Sequence, residues 1–533
     1  MESKKYQAFW RGAIILTIAS FVTKVLSAFY RIPYQNIAGD IGFYIYQQIY
    51  PFYGFCLILA TYGFPIIISK MVAERLERGK KQEAEEIICV SFWFLLGIGF
   101  IGFFTLFFGA EAIATAMGDI HLDKLLRVIS FSFILMPFLS VARGYFQGFN
   151  NMMPTAVSQV IEQTIRVSII VFLSLFLIAH EFDLYTVGAG AMLGSIAGGL
   201  IGIIVLILYM RHDFRSIFFK SVKRIKGKKK IIKILFWQGL AICVSNLVLI
   251  FIQMADSVSF YSLLIGAREP AESAKVLKGV YDRSIPLMQL GTVVTTSFSL
   301  SLIPIITAAK ERGDLTFIRE KVRLAMKITF VIGFAAAIGL TCIIKPTNIM
   351  LFENSDGSDV LSILSLSILF SSLSITTASI LQGLGQTLKP AIFVVFGGCL
   401  KLVLNYILMP YFGAKGAAIA TLVALIVISV LNSMLLMRAV SESLIDKRNM
   451  LGIVISGFSM GFVLIMFMRV LQMSGLVMDT SHRGVATFEA LLGVAIGGLA
   501  YMFLILKLRV FTKAEIGTVM KKEKKEGSLK KSG

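Results

Sequence analysis

The sequence predicts an all-α, polytopic membrane protein of fourteen transmembrane helices, arranged as two pseudo-symmetric six-helix lobes followed by two additional helices. Three observations carry this reading. Apolar runs of about 20 residues, the length a helix needs to cross a bilayer, recur along the whole chain. The chain has 533 residues, 56% of them hydrophobic, and a mean hydropathy of +0.81. The basic residues concentrate in alternate connections, above all in 211–233, where ten of 23 residues are Lys or Arg. Short motifs of the first half also return in the second at a nearly constant offset.

The expected helices lie near 8–32, 42–69, 87–109, 125–148, 154–178 and 185–209, which together form an N-lobe within 1–210. A basic cytoplasmic linker, 211–233, follows. Helices near 234–257, 280–308, 327–345, 360–382, 390–411 and 414–437 form a C-lobe over 234–437. Helices 13 and 14, near 450–472 and 485–506, fall within 438–506, and a basic cytoplasmic tail occupies 507–533. With this assignment, 37 of the 52 Lys and Arg residues fall on the side of the two termini and nine on the other. The excess of positive charge in cytoplasmic loops makes both termini cytoplasmic. The first apolar run contains Lys24 and lacks an A-x-A site, so it reads as a helix and not as a cleaved signal.

The net charge of +21 does not point to nucleic acid. The basic residues sit in short loops between apolar spans, where they set orientation and attract anionic lipid. The five cysteines are scattered within apolar segments, and the four histidines form no metal-ligand spacing. No metal site and no catalytic set is expected.

The repeat fixes the architecture. Phe9-Trp10-Arg11-Gly12 returns as Phe236-Trp237-Gln238-Gly239, and Pro65-Ile66-Ile67 as Pro304-Ile305-Ile306. Tyr46 and Pro51 return as Tyr281 and Pro286. Gln147-Gly148 before Pro154 returns as Gln382-Gly383 before Pro390. Six helices per repeat make the copies parallel, a plan typical of transporters with a substrate site between halves that rock against each other. Pro51, Pro65, Pro286 and Pro304 are expected to kink the second and eighth helices.

Charges inside apolar spans are costly and mark functional sites. The cations are Lys24, Arg143, Arg166, Arg283, Lys401 and Arg469, and the anions include Glu162, Asp256 and Asp282. Arg166 lies twelve residues after Pro154 and Lys401 eleven after Pro390, so the halves place a cation at matching depth. Glu162 and Arg166, spaced i, i+4, can neutralise each other. Lys401 has no acid on its own helix, which makes it a functional candidate. Asp256 and Arg283 can pair across the hairpin between the seventh and eighth helices. Alternatively, Arg283 and Lys24 face one cavity and bind an anionic head group, a diphosphate being suited to a cleft lined by several cations.

Several motifs resemble those of the multidrug/oligosaccharidyl-lipid/polysaccharide exporter superfamily, and more closely its MurJ-type lipid II flippases and the polysaccharide-transport and sporulation stage V protein B group. They are the run from Lys24 to Pro33 in helix 1, the run from Gly63 to Glu74 at the end of helix 2, and Tyr281-Asp282-Arg283 with Pro304 in helix 8. The resemblance implies that Lys24 and Arg283 line a central cavity. Arg31 matches a second helix-1 arginine after a shift of one residue. Phe52, Tyr53, Gly54 and Phe55 follow Pro51 where the flippases carry a cation.

The expected activity is movement of an undecaprenyl-diphosphate-linked saccharide across the membrane by alternating access. Lys24, Arg283, Lys401, Arg166 and Arg31 are the expected substrate-binding residues. Asp256, Asp282 and Glu162 are candidates for ion coupling. No cofactor is expected, the driving force being Na+, H+ or the membrane potential. The expected partners are the lipid-linked saccharide, membrane lipids and enzymes of cell-wall or polysaccharide synthesis, with a monomeric chain and no nucleic acid. The alternative is a Na+/H+-coupled multidrug antiporter of the same superfamily, disfavoured by the excess of buried cations over anions. A glycan polymerase or ligase would need carboxylates or histidines in a large outer loop, and none is predicted.

Overall fold

The computed structural model describes residues 2–210, 227–473, 482–512 and 515. Residues 211–226 of the basic linker, and most of the tail beyond 512, lie outside the described residues. Every element described is helical. Among the described residues, eleven helical stretches are long and apolar enough to cross a membrane. Large apolar side chains such as Phe108, Phe172 and Leu499 point outward, as expected where lipid is the solvent for the outer surface.

The chain begins with α1 (Glu2–Phe29), α2 (Arg31–Ile58), a π-helical turn at Leu59–Gly63 and α3 (Phe64–Glu77). Residues Ile15–Glu77 form one apolar stretch of 63 residues. At about 1.5 Å per residue this is far longer than one crossing. The stretch folds back at Gly39, whose φ of 67° lies in the left-handed region that glycine enters without a Cβ clash. Tyr30 and Tyr46 consequently meet, hydroxyl to hydroxyl, at 2.7 Å. Pro51 lies inside α2 as expected. Pro65 instead starts α3, directly after the π turn.

Then follow α4 (Lys81–Phe108), short α5 (Ala110–Ala116), α6 (Asp123–Gly148), α7 (Met153–Ala179) and α8 (Leu184–Met210). The carboxylate of Asp183 caps α8 by accepting from the Tyr185 and Thr186 amides at 3.0 and 3.1 Å. A hydrogen bond from the Thr186 hydroxyl holds that carboxyl below its ordinary range. Helices α7 and α8 approach closely through Gly194 and Gly198. A Cβ at Gly198 would stand 2.7 Å from the Glu162 carbonyl oxygen and 3.0 Å from the Arg166 Cβ. Small residues at four-residue spacing permit this contact between membrane helices, and it fixes the part of α7 that carries both charges.

The second half opens with α9 (Lys228–Ile234), a second π turn at Leu235–Gly239, α10 (Leu240–Ser245) and α11 (Val248–Gly266). The segment near 258–279, expected as a loop, is helical instead. It contains the end of α11 and most of α12 (Ala271–Asp282). Tyr281 and Asp282 therefore close α12 and do not open the eighth helix. That helix is α13 (Ser284–Glu311), and Pro286 stands in its first turn, where the missing N–H leaves no bond unmade.

The remaining helices are α14 (Leu315–Cys342), α15 (Ile344–Phe352), α16 (Ser358–Gly383), α17 (Leu388–Val440), α18 (Lys447–Met473) and α19 (Arg483–Lys507). The 53-residue α17 folds back at Gly413, with φ 53°. The Lys401 ammonium thereby reaches the Ala417 carbonyl at 2.6 Å. Gln147 and Gln382 each occupy the penultimate position of their helices, α6 and α16.

The two halves of the chain touch at both ends of the bundle. At the Gly39 end, α12 packs so closely on α2 that a Cβ on Gly279 would meet the Asp40 carbonyl oxygen at 2.1 Å. At the opposite end each π turn packs on the helix that follows the other, Gly63 against Cys243 of α10 and Gly239 against Phe64 of α3. Such turns are rare insertions in α-helices and recur at functional positions.

Candidate functional site

A cavity of about 210 Å³ lies between these two contacts. Helices α1, α2 and α7 of the first half supply one wall, and α10, α11, α13 and α16 of the second half supply the other. Lys24, Tyr50, Tyr62, Glu162, Asn246 and Gln289 are among its lining residues. Lys24 lies within the length of α1, on the face turned away from lipid, with its Nζ 5.8 Å from the centre of the Tyr62 ring. No carboxylate stands within ion-pair distance of Lys24 among the described residues.

Two arginines stand behind the cavity wall. Arg31, the first residue of α2, is fully buried. Its Nη1 donates to the Ser27 carbonyl at 3.0 Å and to Gln289 Oε1 at 2.5 Å, and its guanidinium lies 4.3 Å from the Tyr50 ring centre. Arg166 of α7, also fully buried, donates through Nη2 to the hydroxyls of Tyr30 at 3.0 Å and Tyr46 at 3.3 Å. The rings of Tyr53, Tyr30 and Tyr50 surround it at 4.4, 5.4 and 5.7 Å. Arg31 Nε and Nη2 and Arg166 Nε have no hydrogen-bond partner.

The expected Glu162–Arg166 pair is not formed. Glu162 instead receives Arg143 Nη2 at 2.5 Å. Arg143 comes from the neighbouring helix α6, and Thr61 in the π turn of the first half also holds it, at 3.0 Å. Spacing on one helix allowed the first pair. Packing of two helices supplied the second, and the tyrosine ring took Arg166.

The expected Asp256–Arg283 pair is not formed either. Arg283, between α12 and α13, grips Asp40 with Nε at 3.1 Å and with Nη2 at 2.8 and 2.7 Å. Its Nη1 donates to Asn348 at 3.2 Å and to Asn354 at 2.6 Å. It joins the two halves at the Gly39 end and does not line the cavity. Lys275 and Asp119, 3.5 Å apart, form a second link there.

Asp256 is paired with Lys401 at 2.8 Å. The ammonium also donates to Asn405 Oδ1 at 2.8 Å and to Ala417 O at 2.6 Å. Asn405 and Tyr281 each donate to the Asp256 carboxylate at 3.0 Å. Lys401, expected to be free, is thus enclosed by oxygens from three helical segments. Asp282 holds Lys278 at 2.5 Å, and its Oδ2 has no partner. Asp256 and Asp282 both line a smaller cavity of about 30 Å³. It shares Leu249, Gln253 and Gln289 with the larger one. Arg469, near the end of α18, is exposed.

The structure therefore places Lys24 at the main cavity, with Arg31 and Arg166 directly behind Tyr50. It puts Lys401 with Asp256 in a separate network and Arg283 in a link between halves. Reading the sequence missed Asp40, Lys278, Gln289 and the tyrosines. Tyr46, Tyr50 and Tyr53 follow i, i+4, i+7 spacing and so share one helix face, a signal that was available. Asp40 lies at the Gly39 turn, and nothing local announces its partner.

A helical bundle exposing apolar side chains outward and enclosing a polar, cation-bearing cavity between its chain halves is the architecture of a multi-pass membrane transporter. The chain belongs to the family described as polysaccharide biosynthesis protein, whose model matches residues 9–310; the MatE family model matches 279–407. It is a member of the multidrug/oligosaccharidyl-lipid/polysaccharide exporter superfamily. Among its relatives in Bacillus subtilis (strain 168), the uncharacterized membrane protein YabM is 41% identical, covering 96% of this chain and 94% of that protein. The lipid II flippase MurJ is 26% identical over 92% and 94% of the two chains, and stage V sporulation protein B 25% over 96% and 97%. Among solved structures, the lipid II flippase MurJ in an inward closed conformation superposes with a TM-score of 0.67 at 16% identity, covering 93% of this chain and 99% of that one. An inward-facing multidrug resistance MATE transporter gives 0.65 at 16% identity, over 80% and 98%.

Proposed function

We propose that the chain is a flippase or exporter that carries an undecaprenyl-diphosphate-linked saccharide across the cytoplasmic membrane by alternating access. The observation that carries this reading is the cavity between the chain halves, with Lys24 in its wall and two arginines without acidic partners behind it. An anionic head group suits such a field, and its lipid tail can stay in the bilayer. Kinship with a protein named as a lipid II flippase supports the same substrate class.

The proposed architecture has fourteen crossings. The stretches that fold back at Gly39 and Gly413 count twice, and α13 crosses beside the eleven apolar stretches. Residues 1–210 and 234–437 form the two lobes, α18 and α19 pack outside them, and both termini are cytoplasmic. In this frame the Gly39 end faces outward. The Asp40–Arg283 and Asp119–Lys275 links must break to open the cavity outward, and the packed π turns must part to open it inward.

The test is depletion of the protein followed by extraction of lipid-linked saccharides. The expected result is their accumulation on the cytoplasmic leaflet; unchanged pools with full loss of the protein refute the proposal. The MatE match supports a second reading, a Na+/H+-coupled multidrug antiporter. Glu162, Asp256 and Asp282 are each engaged by a basic side chain, which leaves no free carboxylate among them for a cationic drug. Drug-efflux assays on the same strain separate the two.

A further inference from the structure

Arg31 and Arg166 present an unbalanced charge. Both guanidinium groups are fully buried, and they share the ring faces of Tyr30 and Tyr50. No carboxylate stands within 4 Å of either among the described residues. Glu162 is committed to Arg143. Neutral ring faces attract a cation through their quadrupole, but they do not cancel its charge. Two buried cations side by side require a negative charge close to them.

Helix α1 brings Lys24, its junction with α2 brings Tyr30, α2 brings Tyr46, Tyr50 and Tyr53, and α7 brings Glu162. The second half contributes Gln253 and Gln289, which do not ionise, and, in the adjoining smaller cavity, Asp282, which is held by Lys278. With Glu162 held by Arg143 and Asp282 by Lys278, the acids at this point that no basic side chain already pairs as a carboxylate are phenols. The hydroxyls of Tyr30 and Tyr46 bond to each other and to Arg166. Tyr53 borders a different crevice, of about 20 Å³. Tyr50 alone of the four lines the central cavity. Its ring lies between the two arginines, 4.3 Å from the Arg31 guanidinium and 5.7 Å from that of Arg166.

We propose that Tyr50 is the proton-exchanging counter-ion of the Arg31–Arg166 pair, a phenolate while the cavity is empty and a phenol while an oxyanion occupies it. The phenolic O–H bond breaks heterolytically. Its electron pair stays on the Tyr50 oxygen beside the guanidinium groups, and the proton passes to cavity water. When an oxyanion such as a diphosphate enters, it supplies the negative charge and Tyr50 takes a proton back. Head-group binding is thereby linked to uptake of one proton. That role in a cycle rests on the flippase reading; the ionisation of Tyr50 does not.

The test is a phenolate absorbance titration of the purified full-length chain in detergent, in chloride-free buffer. The expected result is one phenolate per chain forming about one pH unit or more before the ordinary tyrosine range near pH 10. Y50F should remove that early step, whereas Y62F, which alters another tyrosine of the same cavity, should keep it. R166Q should delay it, because half of the positive charge is gone. Inorganic pyrophosphate should delay it too, with uptake of one proton per chain. The proposal is overturned if the folded wild type shows no early phenolate or if the early step survives in Y50F. It is also overturned if a tightly held anion accompanies the protein through purification with all tyrosines neutral. An early step lost in Y50F, together with unchanged lipid-linked pools on depletion, would keep the proton site and discard the flippase reading.

Discussion

Arg166 and Lys401 occupy matching places in the two halves, eleven or twelve residues after the proline that starts each helix, and both are fully buried. Their surroundings are opposite. Lys401 is neutralised by Asp256 and enclosed by the Asn405 amide and the Ala417 carbonyl. Arg166 has tyrosine hydroxyls and ring faces and, among the described residues, no carboxylate. One half thus closes its charge within itself, while the other leaves a positive field behind the cavity wall. A matched position in a repeat therefore fixes depth and sign of charge. It does not fix whether that charge is available to a ligand.

The largest effect is expected at the neutralised site. K401M or D256N alone leaves one buried charge without its partner and should cost about 3–5 kcal/mol. Replacing both residues with apolar ones should recover most of that loss. Thermal unfolding in detergent reads this directly, and single variants as stable as the wild type would show that the pair does not hold this half together.

A smaller effect is expected where the halves meet through their π turns. A Cβ at Gly63 would stand 2.0 Å from Cys243 Sγ, so Gly63→Ala should cost about 1–3 kcal/mol through overpacking. Adding Cys243→Ala should relieve it. If the double variant is no more stable than the single, these two helices do not touch in the way described.

Arg166→Gln sharpens the contrast from the other side. It removes a charge that has no carboxylate partner among the described residues, so the change in stability should be about 1 kcal/mol or less. The variant should nevertheless fail to complement loss of the gene while remaining at normal abundance. Full complementation would mean that the positive field is structural. The smallest effect belongs to the Lys415–Asp359 pair, whose side chains are 54% and 57% exposed. Lys415→Ala should change the unfolding midpoint by an amount equivalent to about 0–1 kcal/mol. A larger shift would place these residues in a less hydrated setting than their exposure suggests.

Some of the molecule was legible because its causes are local. The helix expected near 154–178 is found at Met153–Ala179, and that near 185–209 at Leu184–Met210. Apolar runs, a proline at the start and a polar stop fix such boundaries within a few residues. The turn expected between 411 and 414 is the Gly413 turn. Lys24 could be singled out because lysine deep in an apolar run needs a polar neighbour. The α12 helix was hidden because its composition is that of a loop between spans, and its packing on α2 holds it.

Local composition is enough to make the chain helical and apolar on its outside, and to set which charges lie within its helices. The rise per residue and the hydropathy of a segment suffice for that. How those charges are paired depends on the packing of distant helices. Glu162 met Arg143 and not Arg166, Asp256 met Lys401 and not Arg283, and Arg283 met Asp40, 243 positions away. Depth along a helix is set by counting residues. The partner is set by the rotation of that helix and by which distant helix packs against it, and the free energy of a buried charge depends on that partner.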